Sequence, residues 1–421
     1  MQGTIPPAPR PSGRRSGHIA VMALLLLIPL FACVALCVDM GWIALTKSEL
    51  QNAADAGAAA GARQLVDNYA PFSLPSQRNK DRLLNEAEAS ALTYGMQFGG
   101  YNSAGDKQTL TIQSGDVHPG YTTSTGLFQS RRTYAGYPNT VQVMARRDAS
   151  ANGALPLFFA PVIGKRDKDL SATAAATIYT GLISSFNPNL IAGGTKKRTA
   201  FGEEFYNEGG GYECPLMPVA FDVNRWNAFL SNGQSPDGTV HVDAAGSPQI
   251  QVYPSPKTSP GNFGLLCLGH WTNNAPDYRT WIENGPAGDD VQTLIDNASL
   301  PVTLDKPRPW KGSPGLKSTL VTDFRAIIGT PRLLPLFKPA STSPYQAASG
   351  NGSNTTYDIV GFVGIMITEA TGSGSNLSIK VQPCSVLDPT AVFDPESLCP
   401  AGEEPPSRLK AFTFATPKLT R

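Results

Sequence analysis

An uninterrupted apolar run near the N-terminus is the strongest hydrophobic pattern in the chain. From Ile19 to Val38 no residue is charged. Because an α-helix rises 1.5 Å per residue, a run of this length spans about 30 Å, the thickness of one hydrocarbon core. Pro29 lies within the run and is expected to bend the helix rather than end it. The pattern predicts a membrane anchor marked by Ile19, Pro29 and Val38.

The apolar run continues into an Ala-rich, more polar stretch without a turn signal. From Asp39 to Val66, charged and amide side chains are mixed with small residues. Such a composition favours a helix but offers too little apolar surface to remain in lipid. Residues 19–66 are therefore predicted to form one helix, with its first half in the bilayer and its second half as a stem outside it. Residues 1–18 are predicted to be a flexible cytoplasmic lead.

Small residues recur every four positions in the stem, at Ala53, Gly57 and Gly61. On a helix these positions line one face, where the absence of large side chains lets another backbone approach closely. Two alternatives are open for this face. It packs against the helix of a partner protein, or it packs under the globular head of its own chain.

The charges around the apolar run predict its orientation. Arg10, Arg14 and Arg15 precede the run, and no acidic residue does. The positive-inside bias then places the N-terminus in the cytoplasm and the rest of the chain outside it. A cleaved signal peptide is the main alternative, but its apolar region is usually about 7–15 residues long and ends in small residues. The longer run favours an anchor that is uncleaved or trimmed only at its N-terminus.

The order of features in this region resembles the N-terminal segment of the TadE/TadG-like proteins of the bacterial Flp (tight-adherence) pilus-assembly system. The family's hallmark is an apolar helix that ends in V-D-x-G and continues into L-Q-x-A-A-D-A-A-A-L-A-G-A. Residues 38–41 (VDMG) and 50–62 (LQNAADAGAAAGA) match it closely. One departure is that Gly17 is followed five residues later by Met22, where pilin-type subunits that are cut after a Gly carry Glu.

This resemblance implies a structural or assembly role rather than a catalytic one. The expected protein is a pilin-like component, anchored by a single helix in the bacterial inner membrane, that acts in a Flp/Tad-type pilus or an allied secretion system. Its expected partners are the membrane and other pilin-like or pilus-assembly proteins, contacted through the stem helix.

The remaining chain is predicted to have an α+β fold in two units. Residues 81–98 have one apolar helical face, and the segments 108–114, 140–146 and 170–179 alternate as strands do. These elements predict a small pilin-like head over residues 67–180, in an order that also resembles the head of this family.

A second, β-rich extracytoplasmic unit is predicted over residues 181–421. Its predicted strands are 216–222, 249–253, 263–269, 332–337, 357–369 and 377–382, and its predicted helices are 278–283, 290–298 and 316–328. The segment YDIVGFVGIMITE at 357–369 has the strongest strand pattern, so it is predicted to be the central strand.

Composition and charge narrow the functional classes. Lys plus Arg (34) nearly equals Asp plus Glu (33), so no overall field would attract nucleic acid. The 41 Gly, 36 Pro and 16% charged residues are typical of loop-rich, β-rich extracytoplasmic domains. The zinc, nucleophile-elbow and phosphate-loop motifs of common enzymes do not occur in the sequence. The sequence predicts no enzyme, no cofactor or metal, no nucleic acid and no small-molecule substrate.

The four histidines give only weak candidates for chemistry. None of His18, His118 and His241 belongs to an H-E-x-x-H pair or to a paired His/Cys spacing typical of zinc. His270 follows Cys267 closely, and we expect a half-buried histidine under a disulfide-held loop rather than a catalytic group.

Two acidic segments resemble metal sites only loosely. Full-length TadG-type relatives often carry a von Willebrand A domain with a D-x-S-x-S metal site, but Asn224 and Trp226 replace both serines after Asp222. Asp237, Gly238 and Asp243 could belong to a loose calcium loop, although they are more typical of a hairpin turn.

The cysteines divide between the membrane helix and the outer unit. Cys33 and Cys37 lie in the apolar run, where free thiols behave as small apolar groups. The other four fall in the second unit: Cys214, Cys267, Cys384 and Cys399. An even number of exported cysteines predicts disulfides, and three pairings are open. We favour Cys214–Cys267 and Cys384–Cys399, with free thiols in the core as the alternative.

Three functional classes can be compared. An assembly protein of a pilus or secretion system accounts for the anchor, the stem and the lack of a catalytic motif. A membrane-anchored periplasmic binding or scaffolding module unrelated to pili accounts for everything except the family-like N-terminal segment. An anchored hydrolase accounts for neither the stem nor the missing motifs, so the assembly role is preferred.

Overall fold

The protein has the predicted α+β architecture, in which a long apolar helix precedes strand-rich structure. A computed structural model describes residues 17–74, 77, 79–130, 136–192, 195–198, 204–207, 211–235, 239–243, 246–255, 261–340, 348–403 and 409–420. The three arginines that predict the orientation lie outside these residues.

The helices of the described residues begin with a single long one. They are α1 (Gly17–Gln64), α2 (Tyr69–Ser73), α3 (Lys80–Gly100), α4 (Val223–Asn232), α5 (Ala275–Glu283), α6 (Gly288–Asp296) and α7 (Val321–Ala326). The predicted continuity of anchor and stem is confirmed, because α1 passes through Pro29 and Asp39 without ending. The predicted helix at 81–98 is also confirmed as α3.

The strands of the described residues range in length from two residues to 16 residues. In chain order they are β1 (Val117–Thr122), β2 (Phe128–Ser130), β3 (Thr140–Arg147), β4 (Leu155–Pro156), β5 (Asp167–Lys168), β6 (Leu170–Thr177), β7 (Tyr179–Thr180), β8 (Ile183–Phe186), β9 (Thr195–Arg198), β10 (Glu204–Asn207), β11 (Phe221–Asp222), β12 (His241–Val242), β13 (Pro248–Tyr253), β14 (Asn262–Leu266), β15 (Arg308–Pro314), β16 (Pro331–Lys338), β17 (Thr356–Thr371), β18 (Ser378–Pro383), β19 (Val386–Leu387), β20 (Ala391–Phe393), β21 (Cys399–Pro400), β22 (Thr413–Phe414) and β23 (Lys418–Thr420).

The head is a sheet covered on one face by α1 and α3. Its five antiparallel strands lie in the order β2, β1, β3, β6 and β23. Along β3, Val141, Val143 and Ala145 are buried and alternate with less buried positions. Val141 and Val143 lie against Gly61 and Gly57 of α1, respectively. The stem is therefore part of the core of the head.

The second unit is built around β17, as the sequence predicts. This strand pairs with β16 on one side and with β18 on the other, and its N-terminal part also pairs with β15. Further strands extend the sheet to β11 at one edge and β12 at the other. Because β17 is buried on both faces over much of its length, its sequence is a nearly continuous apolar run.

The two hydrophobic cores are joined by segments that cross between the units. Ala70, in α2, and Leu74, directly after α2, pack into the core of the second unit. In return, Ala401 and Phe414 enter the core of the head, and β23 pairs with β6 as a fifth strand of the head sheet. The division at residue 180 stays a prediction, and residues on each side of it contribute to the core on the other side.

One predicted strand of the head is wrong. Residues 108–113 form no strand, although Leu110 and Ile112 are buried as the alternation suggested. The side-chain amide of Asn152 accepts a hydrogen bond from Thr111 N at 2.7 Å and donates one to Thr111 O at 3.1 Å. The backbone of Thr111 is therefore satisfied by a side chain instead of a neighbouring strand. The strand that pairs with β3 at this side of the sheet is β1, which follows in a segment with Pro and Gly that has little strand signal.

A second correction concerns residues 216–222. Leu216 and Val219 make only isolated bridges, and the regular strand is limited to β11. The sequence analysis also missed α4, which begins directly after this strand. Its boundaries do have local signals, since Asp222 caps the N-terminus and Gly233 ends the helix with φ of 74°.

Candidate functional site

The N-terminal half of α1 is an exposed apolar surface. Large side chains such as Leu24, Leu26 and Phe31 are all more than half exposed. Within the described residues, α1 is the helix that is long and apolar enough to cross a membrane. This arrangement fits a single-pass membrane anchor. Pro29 and Val38 lie in this exposed part, and Ile19 lies in its first turns.

The small-residue face of the stem is covered by the chain's own head. A Cβ atom on Gly57 would lie 2.7 Å from the carbonyl oxygen of Gly95, and one on Gly61 would lie 2.9 Å from that of Ala91. Ala53 is fully buried on the same face. The helices α1 and α3 thus approach along small residues of both. Packing of this face against a partner helix stays a prediction, and in this structure the face contacts α3.

Asp39, which follows the apolar part of α1, binds a loop of the head through hydrogen bonds. Its carboxylate accepts hydrogen bonds from Phe158 N at 2.8 Å, from Phe159 N at 3.1 Å and from Ala160 N at 2.7 Å. The side chain is 4% exposed although it directly follows the apolar run. The Asp of the V-D-x-G segment therefore caps three consecutive backbone amides, and this binding could not be read from the sequence.

Further polar contacts hold the stem to the head just above Asp39. The indole Nε1 of Trp42 donates to Pro156 O at 3.2 Å, and the carboxylate of Glu49 accepts from Gly105 N at 2.6 Å. Each contact lies one or two helical turns further along α1 than the one before. The head is thereby fixed to the helix from the membrane-side end of the stem upwards.

A buried arginine organises the same end of the head. Arg147, at the end of β3, is 1% exposed. Its guanidinium donates to Gly153 O at 3.1 Å, to Ala104 O at 3.1 Å and to the carboxylate of Asp106. The hydrogen bond from Arg147 lowers the pKa of Asp106 below its ordinary value. Arg147 thus links the loop at Ala104, whose neighbour Gly105 binds Glu49, to the loop at Gly153. No sequence pattern predicted this contact.

The predicted disulfides are wrong, because all six cysteines are free. Cys267 Sγ lies 3.5 Å from Tyr278 Oη, and Cys399 Sγ lies 3.6 Å from Thr180 Oγ1. Cys214 is fully buried, and burial raises the pKa of its thiol. The four thiols of the second unit lie in different segments and contact different residues. The prediction of disulfides from an even number of cysteines therefore fails. Burial also raises the pKa of Cys384, to about 11.

His270 is exposed rather than half-buried, and no bridge holds its loop. Its Nδ1 lies 3.1 Å from Asp290 Oδ1, and its ring packs 5.1 Å from the ring of Trp281. His118 lies in β1 and His241 in β12, while the side chain of His18 lies outside the described structure. Among the described residues, no group of three or more His, Cys, Asp or Glu is placed to hold a metal ion.

The two acidic segments serve local structure. Asp222 Oδ1 accepts from Asn224 N at 2.8 Å and caps α4. Asp243 Oδ1 accepts from Ser247 N at 2.8 Å in the turn between β12 and β13. Asp237 and Gly238, the other part of the loose calcium loop, lie outside the described residues.

A cavity of about 450 Å³ lies where the head meets the second unit. Tyr69, Phe72, Tyr137 and Phe412 contribute aromatic walls, and Lys80 is among its charged lining residues. The pair Tyr69 and Tyr137 meets edge to face at 5.5 Å between ring centroids. The lining is thus mainly a packing junction between the units.

Comparison with known families agrees with the resemblance in the N-terminal segment. Residues 17–64 match the family of Flp pilus-assembly TadE/G-like proteins, and residues 46–176 match the family of Tad-like Flp pilus-assembly proteins. The first match covers α1, and the second covers most of the stem and most of the head. No curated protein and no solved structure matches the chain. The family matches support a role related to pilus assembly.

Proposed function

We propose that this chain, which carries the Tad/Flp pilus-assembly family sequence over residues 17–176, is a membrane-anchored, pilin-like component of a Flp/Tad-type pilus or an allied secretion system. It acts by structure and not by catalysis. It spans the bacterial inner membrane once, with its N-terminus in the cytoplasm and both folded units outside.

The observation that carries this proposal is the change of environment along one unbroken helix. The first half of α1 is exposed and apolar, whereas Leu50, Ala54 and Ala58 in its second half are fully buried under the head. A soluble protein would have no use for the exposed half. A helix that is lipid-facing at one end and packed at the other holds a folded head at a fixed height above a bilayer.

Partner contacts are proposed for the exposed side of α1, since the opposite side of the stem is covered. Cys33, Cys37 and Gly41 follow one another at four-residue spacing and are all exposed. Small side chains on one helical face allow another helix to approach closely within the membrane. We place the contact with a pilin-like partner helix there, next to the stem that the sequence singled out.

The orientation is tested with a reporter. Alkaline phosphatase fused after Arg421 is active only outside the cytoplasm, and we expect activity. Moving Arg10, Arg14 and Arg15 to positions just after Val38 should weaken insertion or invert it. A fusion that is active only with a cytoplasmic reporter, such as a fluorescent protein that does not fold after export, would contradict the proposed topology.

The assembly role is tested in the source bacterium. Deleting the gene should reduce the number of assembled pili or the output of the allied secretion system, and the intact chain should restore it. A chain without residues 17–38 is the matched control, because it retains both folded units and should not restore assembly. Normal pili and normal secretion in the deletion strain would contradict the proposal and favour an anchored scaffolding or binding module.

The partner contact is tested through the native thiol of Cys37. Mild oxidation of membranes should join Cys37 to a cysteine placed at the same depth in a pilin-like partner helix. The variant Cys37→Ser is the control, and Cys33, an exposed thiol on the same face, is replaced by Ser in both proteins. A crosslink that forms equally in the Cys37→Ser variant, or does not form at all, would argue against contact on this side of α1.

A further inference from the structure

A loop of the head carries a compact group of large apolar side chains to its surface. Within residues 157–163 (LFFAPVI), Phe158 is 61%, Val162 is 89% and Ile163 is 75% exposed. Phe159 is 47% exposed. Soluble proteins expose scattered apolar residues, but several neighbouring ones on one short loop mark a surface that another apolar phase covers.

This loop is held in a defined shape. At its base, Leu155 pairs with Lys168 and Pro156 pairs with Asp167. Above that base, Leu157 N donates to Arg166 O at 3.0 Å. A short 3-10 turn over Ala160–Ile163 ends at Gly164, whose φ of 87° suits glycine. The exposed side chains are therefore carried by a closed, hydrogen-bonded loop.

The position of the loop is fixed at the end of the apolar run. The three amides from Phe158 to Ala160 bind Asp39, the residue directly after Val38. The contacts between the head and α1 follow the helix towards its apolar N-terminal half. They begin with Val141 beside Gly61 and end at the Asp39 carboxylate. The loop is the lowest point of this series, so its tip lies at the level where α1 leaves the hydrocarbon.

The chemistry around the loop is that of a membrane interface. Trp42 packs 5.6 Å from the ring of Phe158 while its indole N–H binds Pro156 O. Tryptophan is enriched at the boundary between lipid and water. Lys165, Arg166 and Lys168 follow the apolar tip and are all exposed. Basic side chains beside an apolar tip can bind the phosphates of lipid headgroups.

We propose that residues 157–163 insert into the interface of the bilayer beside α1, giving the head a second contact with the membrane. This rests on the proposed anchoring of α1. Segments of this kind bury their apolar face about 5–10 Å into the boundary between headgroups and acyl chains. A single helix lets a head tilt and rotate, whereas a second contact fixes its orientation towards partners.

Lipid is the occupant that the structure favours over a partner protein. The apolar tip lies at the height where the exposed apolar surface of α1 ends, because Asp39, which directly follows that surface, binds the backbone of the loop. A partner that covered the tip would have to lie at that same height beside the exposed anchor. Contact of the tip with a second copy of the chain is the opposing outcome of the test.

The test uses a fluorescent label on the full chain in proteoliposomes of phosphatidylcholine and phosphatidylglycerol. Cys33→Ala and Cys37→Ala remove the exposed thiols, and Val162→Cys places the label at the tip. The matched control is Leu127→Cys, a similarly exposed aliphatic site at the opposite end of the head sheet, next to Phe128, which pairs with Thr122. Lipids with a nitroxide near the headgroup serve as quenchers.

We expect the emission of the label at 162 to shift to shorter wavelength and to be quenched by the nitroxide lipids. The emission of the label at 127 should not change. Equal behaviour of the two labels would overturn the proposal, as would self-quenching at 162 that vanishes when labelled chains are diluted with unlabelled ones. A third protein, labelled at the native Cys33, separates this failure from failure of the anchor. Quenching at Cys33 without quenching at 162 rejects only the loop contact, whereas quenching at neither site rejects the membrane anchor itself.

Discussion

The carbonyl oxygen of Gly95 lies 2.7 Å from the point where a Cβ atom on Gly57 would stand, so the backbones of α1 and α3 are in direct contact. A Cβ on Gly99, one turn further along α3, would lie 3.3 Å from the carbonyl oxygen of Ala53. The stem and α3 thus approach through small residues on both helices. This close approach explains why the stem needs its glycines even without a partner.

The first prediction concerns this approach. Gly57→Leu should destabilise the full chain in detergent by about 1–3 kcal/mol, because a large side chain pushes two packed backbones apart. Gly41→Leu is the matched control, since a Cβ there meets nothing within 4 Å. Thermal unfolding followed by circular dichroism measures both. Equal melting temperatures for the two variants would show that the face is not tightly packed.

A second prediction concerns the carboxylate of Asp39. Asp39→Ala removes the acceptor for three backbone amides, and a hydrogen bond to a charged group contributes about 1.5–3 kcal/mol. The amides of Phe158, Phe159 and Ala160 should therefore exchange hydrogen on the order of ten to a hundred times faster in detergent. Asp169→Ala, in an exposed position of the same region, should leave their exchange unchanged. Hydrogen exchange read by mass spectrometry decides between these outcomes.

The third prediction replaces the disulfides. The folded chain should show the same mobility with and without reductant, because its cysteines are free. Burial raises the pKa of Cys384 to about 11, so alkylation of Cys384 at pH 8 should be slow and should speed up as the pH approaches that value. Cys214, which is fully buried, should react only after unfolding. Peptide mass spectrometry after brief alkylation measures each site, and a peptide that joins Cys384 to Cys399 would contradict this expectation.

The fourth prediction concerns Arg147. Arg147→Ala removes a buried guanidinium that binds three carbonyl oxygens and Asp106. It should destabilise the chain by about 1–3 kcal/mol, the cost of leaving a buried acceptor without a hydrogen bond. Arg82→Ala removes a surface pair with Glu86 and should change stability by less than about 1 kcal/mol. Denaturant unfolding of both variants gives the comparison. Similar small losses would mean that Arg147 is dispensable for the fold.

The same pair predicts a pH effect. The hydrogen bond from Arg147 lowers the pKa of Asp106 in the folded state. The folded state therefore favours the ionised carboxylate more strongly than the unfolded state does. The resulting stabilisation is present above the ordinary Asp pKa of about 3.9 and is lost as the pH falls through the lower folded value. Between pH 5 and pH 3 the Asp106→Asn variant should lose less unfolding free energy than the unchanged protein. The difference should be within about 1 kcal/mol, because the Asp106 carboxylate is partly exposed. Equal acid sensitivity of both proteins would contradict this assignment.

Features that depend on local composition and hydrophobic period could be predicted from the sequence alone. An apolar run of membrane length, an Ala-rich continuation and the residues around Asp39 were enough to predict α1 as one helix and to identify the pilus-assembly resemblance. The alternation in residues 140–146 and the apolar run at 357–369 predicted β3 and the central β17, because burial on one or both faces leaves a direct mark on the sequence.

Which surfaces of the chain meet became known only from its folded arrangement. The sequence left open whether the small face of the stem meets a partner or the chain's own head. In the structure α3 lies against it, with glycines on α3 in register with those on α1. The cysteines could have paired in three ways, yet long-range packing keeps all of them apart. Asp39 could have been an exposed boundary residue, but a loop more than a hundred residues away supplies three amides to its carboxylate. Such contacts depend on the three-dimensional path of the chain, which no short stretch of sequence contains.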